Sequence, residues 1–224
     1  MAVIHRTTMS PGKLDLLAAW MPSKPWYRGG GAPKLAKAGG FRLDDPEGEV
    51  GLEFMVVTDT SGDSPVTYQV PLSYRGARLD AAAAGLVGTS EHGVLGRRWI
   101  YDGAHDPVLV AQLLALLAGR ATAQDQNASN VPDPAVEVLA GHAGVPEGLV
   151  ATGSVTDTSD ATLVGVEPAG HGEPLMALSL CRVLEPGPAV TDGSVRGQLL
   201  TRWAGADGTE PGGVFAVLRD GAAG

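Results

Sequence analysis

Three groupings of residues have the types and spacing that chemistry asks for. His105 and Asp106 are adjacent and could serve as an acid–base or metal-ligating pair. Ser90, Glu91 and His92 set a hydroxyl beside a base, as nucleophilic hydrolysis requires. Asp44, Asp45, Glu47 and Glu49 supply paired carboxylates, the groups that cleave a glycosidic bond from two sides of a cleft. Each has a plainer expectation. Asp106 precedes Pro107 and an apolar run, which makes it a helix N-cap. Ser90 and His92 are too close in sequence to meet as nucleophile and base, and no Gly-x-Ser-x-Gly elbow is present, so a loop or turn is expected. The four acids flank Pro46 and Gly48 and read as a solvated hairpin turn. The five histidines, His5, His92, His105, His142 and His171, show no His-x-His or His-x-x-x-His spacing, so no metal site is expected. Gly29-Gly30-Gly31 lacks the Lys-Ser/Thr of a phosphate loop and reads as a turn. The single cysteine, Cys181, lies in an alternating apolar run and is expected to be a buried structural thiol.

Aromatic side chains next to arginines form a further constellation: Trp26, Tyr27 and Arg28, then Arg97, Arg98, Trp99 and Tyr101. Core packing is the first expectation for the rings. A surface for a ligand or partner, carbohydrate or protein, is the second.

Short elements must position these groups. The chain holds 32 glycines and 16 prolines, which favours many turns over long helices. Ser10 and Pro11 open a helix whose stripe is Leu14, Leu17, Ala18 and Met21, ended by Pro22 and Pro25. Strands are expected over 40–44, 50–58, 66–75 and 95–102. Alternation of Val66, Tyr68, Val70, Leu72 and Tyr74 with polar residues predicts a half-buried strand, at an edge or bulged because Pro71 cannot donate. Residues 107–118 form an almost wholly apolar helix closed by Gly119. It belongs mostly in the core, with self-association into a homo-oligomer as its other use. Residues 122–134 are polar and read as a linker. Beyond them come β-type runs at 136–139, 149–155, 161–166, 175–184, 197–203 and 214–219. Residues 221–224 are expected to be a disordered tail.

Composition excludes several function classes. A hydrophobic content of 44% indicates a globular chain. A net charge of −9 with scattered basic residues argues against nucleic acid. No apolar run approaches the roughly 20 residues of a membrane span, and residues 1–10 lack a secretory apolar segment. One cysteine excludes an intrachain disulfide and fits a cytoplasmic location.

The run Ala177-Leu178-Ser179-Leu180-Cys181-Arg182-Val183-Leu184-Glu185-Pro186-Gly187 resembles a strand of bacterial maltokinases and related aminoglycoside-phosphotransferase-like sugar kinases. There it reads Ile-Leu-Lys-Leu-Phe-Arg-Arg-Leu-Glu-Pro-Gly, and its lysine holds ATP phosphates. Tyr68-Gln69-Val70-Pro71-Leu72-Ser73-Tyr74, the passage Leu95 to Pro107 and Pro25-Trp26-Tyr27 resemble the maltokinase N-terminal cap over residues 1 to 120. Ser154-Val155-Thr156-Asp157-Thr158-Ser159 is similar to the family's Glu-Gln-Ser-Asn-Thr-Ser loop, which approaches nucleotide phosphates. The resemblance implies a nucleotide site that has degenerated at Asp157, Thr158, Ser159 and Ser179. Ser179 replaces the lysine, and Asp157 would repel a triphosphate. The resemblance implies that Val214 to Arg219 matches the last strand before the kinase hinge, and a catalytic lobe is therefore not expected within these residues.

The expected fold is α+β. An antiparallel sheet packs on two helices as a cystatin-like cap over residues 1–121, a linker follows at 122–134, and a β-rich subdomain resembling the kinase intermediate subdomain covers 135–220. The expected function is non-catalytic: a cytoplasmic binding or regulatory protein of α-glucan, trehalose and maltose metabolism, without catalytic residues, metal or cofactor. A small carbohydrate-active enzyme of glycogen metabolism is one alternative. A pseudokinase half-site completed by a partner chain is the other.

Overall fold

The computed structural model describes residues 8–128, 130–170 and 176–221. His5, His171, Leu175 and tail residues 222–224 lie outside the described residues. In chain order the elements are β1 (Met9–Ser10), α1 (Lys13–Trp20), β2 (Leu35–Leu43), β3 (Gly51–Asp59), β4 (Val66–Arg75), β5 (Leu86–His92) and β6 (Gly96–Asp102). After them come α2 (Pro107–Leu117), β7 (Gln124–Asp125), β8 (Glu137–Ala140), β9 (Leu149–Asp157), β10 (Ala161–Pro168), β11 (Met176–Cys181), β12 (Val195–Arg202) and β13 (Gly212–Asp220). The strands form a seven-stranded sheet, β1-β5-β6-β4-β3-β2-β7, and a six-stranded sheet, β8-β12-β13-β11-β10-β9. Every strand pair is antiparallel. The fold is therefore mostly antiparallel β with few helices.

Both helices form, but they do not pack on one sheet as expected. Helix α1 lies against β2 and β5, whereas α2 lies chiefly on β9, with β8, β12 and β2 also touching it. The cause is its composition. Leu109, Val110, Leu113, Leu114, Leu116 and Leu117 are all buried, so two apolar faces need two partners. They join Phe41 and Phe54 of the first sheet and Leu178, Leu180 and Phe215 of the second in one core. A smaller core under α1 gathers Leu17, Met21, Trp26, Tyr68, Val70 and Ile100. The stretch expected as linker contributes β7, which pairs with Arg42 and Phe41 of β2.

Helix α2 begins as its residues require. The Asp106 carboxylate accepts from the Val108 N–H at 3.0 Å, and Pro107 takes the first position. At its end Gly119 has φ +71°. Arg120 N–H reaches the Ala115 carbonyl and Gly119 N–H the Leu116 carbonyl, a Schellman close. Helix α1 differs from expectation. Ser10 is drawn into β1 opposite Glu91, so Gly12 caps the helix, its N–H donating to Asp15 at 3.1 Å.

Strand β4 is internal rather than an edge. β3 pairs with it along its length, and β6 covers Leu72 to Arg75 on the other side. Below that point residues 182–184 take the place of β6. Gln69 N–H donates to the Arg182 carbonyl at 2.9 Å and Leu184 N–H to the Thr67 carbonyl at 2.8 Å. Gln69 donates away from β3, so by strand alternation the N–H that Pro71 lacks would face the same way, at the point where the partner changes. This short ladder is the seam that stitches the two sheets together.

Candidate functional site

The two halves of the expected nucleotide site diverge. In the second sheet Ser179 pairs with Leu163 and Val217, and Leu163 with Thr156. Asp157 pairs with Thr162, and Thr162 with Leu180. Directly paired residues share a face, so Ser179 points outward with Thr156 and Leu163. Asp157 points toward the core with Thr162 and Leu180. Ser179 and Asp157 occupy opposite faces and cannot line one ligand. Thr158 and Ser159 form the β9–β10 turn. The Thr158 hydroxyl lies 3.0 Å from the Ala161 carbonyl and 3.0 Å from the Asp160 carboxylate, and Thr158 N–H donates to Ala161 at 2.8 Å. Beside Ser179 on the outer face, the Gln198 amide exchanges two 2.8 Å hydrogen bonds with the Val190 backbone. The segment after β11 therefore folds across the face that carries Ser179, Val217 and Gln198.

The inward face carries a cationic side chain that sequence reasoning quoted but did not single out. Arg182 and Asp102 are both fully buried. Arg182 Nη2 lies 2.6 Å from each Asp102 oxygen, and its Nε donates to the Thr162 hydroxyl at 2.7 Å. The Thr162 hydroxyl in turn donates to Asp157 at 2.5 Å. Lys24 Nζ stands 3.5 Å from Asp157 on its other side. The Arg182 guanidinium lies 5.2 Å from the Trp26 ring centroid. Burial pushes the Asp157 carboxyl up, but the Thr162 hydroxyl, Arg182, Lys24 and the Trp26 indole outweigh it and hold it below the ordinary value. His105 borders the same groups, and burial holds its imidazole below the ordinary value against the pull of Asp102. Residues from after α1, from β6, β9 and β10, and from the end of β11 thus meet in one ion-pair lock beneath the seam. The signal was in the alternation: Met176, Leu178 and Leu180 face inward, and position 182 is the next inward position.

The seven aromatic and arginine residues do not form one surface. Trp26 is fully buried and Tyr101 nearly so. The Tyr101 hydroxyl accepts from Leu79 N–H at 2.8 Å. Trp26 packs between Trp20 and Tyr68 at centroid distances of 5.7 and 5.9 Å. Tyr27 stacks on Tyr68 and donates to Asp59 at 2.7 Å. Arg28 stays exposed, 3.8 Å from Glu185. In β6, Arg97 is exposed and Arg98 and Trp99 are half-buried. The rings of Trp26 and Tyr101 are large apolar areas with inward registers, and burial wins.

The remaining groupings have structural tasks. Ser90 and His92 belong to β5 rather than to a loop, and the buried Ser90 hydroxyl donates to the Pro11 carbonyl at 2.7 Å. Asp106, besides capping α2, accepts from Ser73 at 2.6 Å and from two Arg75 nitrogens at 2.7 Å. Asp45 is buried, not solvated. Its carboxylate collects the N–H groups of Glu47, Glu49 and Val50 and so shapes the β2–β3 turn. Gly30 packs against the backbone of Gly62. Burial pushes the Cys181 thiol up to about 11, which keeps it a poor nucleophile. Among the described residues no group of three or more His, Cys, Asp or Glu could hold a metal ion. No helix among them is long and apolar enough to cross a membrane.

Residues 20–106 match the family model of the maltokinase N-terminal cap domain. They span the segment after α1, β2 to β6 and the Asp106 cap, and this part of the chain is a maltokinase N-terminal cap-like domain. No curated protein matches the chain.

Proposed function

We propose that the chain is a non-catalytic binding or regulatory protein built on the scaffold of a maltokinase N-terminal lobe, acting in the cytoplasm in α-glucan, trehalose or maltose metabolism. The observation that carries this reading is the second sheet's register. The position resembling the kinase lysine is Ser179, and it lies on the face opposite Asp157. The nearby cation, Arg182, is neutralised by Asp102 and buried. Phosphoryl transfer needs accessible positive charge at the phosphates, and Arg219, which shares the outer face with Ser179, is engaged by Asp192. The paired acids of the β2–β3 turn do not supply a hydrolase either, because Asp45 is committed to three backbone N–H groups.

Titration calorimetry with ATP and magnesium tests the reading. No binding in the micromolar range and no transfer of labelled phosphate to maltose are expected. Micromolar ATP binding would overturn it. A half-site completed by another chain has one observation in its favour: Leu163 is exposed beside Ser179. Such a half-site would bind ATP only when a separate catalytic-lobe protein is added.

A further inference from the structure

We infer that residues 185–194 are a strap that fills, in cis, a recognition site for an acidic extended peptide on the outer face of β12 and β13. This deepens the binding-protein reading and rests on it. The strap lies between β11 and β12 and forms no helix or strand. It runs along β13. Gly187 N–H donates to the Gly212 carbonyl at 3.0 Å. Val190 meets Gln198, the ladder partner of Val217, and Asp192 meets Arg219. Strap residues 190 to 192 thus span β13 residues 217 to 219, so the strap is extended there. Pro186 and Pro188 fix φ at its entry.

Its ties are those by which one chain reads another's peptide. The buried Gln198 amide accepts from the Val190 N–H and donates to the Val190 carbonyl, both at 2.8 Å. The backbone of any residue but proline satisfies that pair. The Arg219 guanidinium donates to the Asp192 carboxylate and, at 3.2 Å, to the Ser194 hydroxyl, and the first of these contacts asks for an acid. Val217, on the same face, is buried.

The strap is held lightly. Between Gly187 and Ser194 no backbone bond joins it to a strand among the described residues, and its ion pair with Arg219 is open to water, where such pairs contribute little. Lifting it would leave the Gln198 amide and the Arg219 guanidinium without these partners. An incoming peptide of the same pattern, a free backbone followed two residues later by a carboxylate, removes that cost. A second copy is disfavoured as the source of this peptide. Its own strap is anchored at both ends, Leu184 in the seam and Val195 in β12, and two chains of net charge −9 repel.

The probe is a fluorescein-labelled synthetic peptide with the sequence of residues 186–195. It is titrated by anisotropy into the full chain and into an Asp192→Lys variant, which turns the strap's own grip on Arg219 into repulsion. Asp192 is exposed, and circular dichroism confirms that the variant folds. The tethered strap competes at high effective concentration, so Asp192→Lys should bind the peptide at least tenfold tighter than the unmodified chain. Adding Gln198→Ala or Arg219→Ala to that variant, or lysine for the aspartate of the peptide, should weaken binding at least tenfold. Hydrogen exchange on the unmodified chain needs no variant: the Val190 amide should exchange through a local opening, ahead of the β13 amides and insensitive to low urea. Equal affinity of the two chains, indifference to the peptide's charge, self-association as the variant's only effect, or a strap that exchanges only together with β13 would each overturn the assignment and leave the binding-protein reading intact. Micromolar ATP binding by the unmodified chain would instead remove the reading itself.

Discussion

Removing the guanidinium of Arg182 would strand Asp102, which has no exposed surface and among the described residues otherwise accepts from Ala104 N–H alone. A buried carboxylate without its cation costs about 3 to 5 kcal/mol, so Arg182→Ala should lower the urea midpoint by that equivalent. The double change Arg182→Met with Asp102→Leu should recover most of it, since apolar replacement of a buried pair is often neutral. His105 adds a pH dependence of known sign. Burial holds its folded value below 6.5, so below that pH the unfolded chain takes up a proton the folded chain refuses. Stability therefore falls as pH drops from 6.5. His105→Gln should remove this decline in denaturation curves recorded between pH 7 and 5. The carboxylates act lower. Asp106 and Asp157 are held below the ordinary value, so their contribution is full above about pH 4 and is lost as acid titrates through their folded values. At this scale the sequence showed Asp106 as a cap, because capping is local. It did not show the Arg75 and Ser73 bonds, or the pairing of Arg182 with Asp102, because those partners are distant in sequence and meet only through the topology.

Elements set which residues share a face, and the second sheet does so decisively. A lysine placed at position 179, where the kinase strand that it resembles carries one, should not confer ATP binding in the Ser179→Lys variant. The new ammonium would point to the side away from Asp157, and calorimetry with ATP and magnesium should remain flat. Micromolar binding by that variant would refute the register argument. Helix α2 depends on Asp106 twice, as cap and as partner of Arg75 and Ser73. Asp106→Ala should cost about 2 to 4 kcal/mol in chemical denaturation. The long alternations of β4 and the apolar run of α2 were legible because their periods are strong. Strand β5 was not, since Gly88, Thr89 and Ser90 dilute its pattern. Strand β2 was expected only from residue 40 because Ala36, Lys37, Ala38 and Gly39 favour strands weakly. Gly40 earns its place there: a Cβ would stand 2.1 Å from the Phe54 carbonyl oxygen.

Across the whole molecule the largest core draws on both sheets and on α2, and the seam continues the backbone ladder between them. We expect one cooperative transition, with far-UV dichroism and tryptophan emission coincident. A fragment ending at residue 121 should show no such transition, because it leaves the second face of α2 uncovered. Separate transitions would refute a common core. The sequence suggested two β-rich parts in series; what it could not show was that the apolar helix between them serves both. A practical consequence follows from the seam. The carbonyl of Cys181 accepts from the Gln69 amide at 3.1 Å, and the same amide reaches the Phe215 carbonyl at 3.0 Å. The chain's single thiol thus belongs to a residue at the point where the two layers clasp, so the rate at which an alkylating reagent consumes it becomes a built-in stopwatch for how often that clasp springs open.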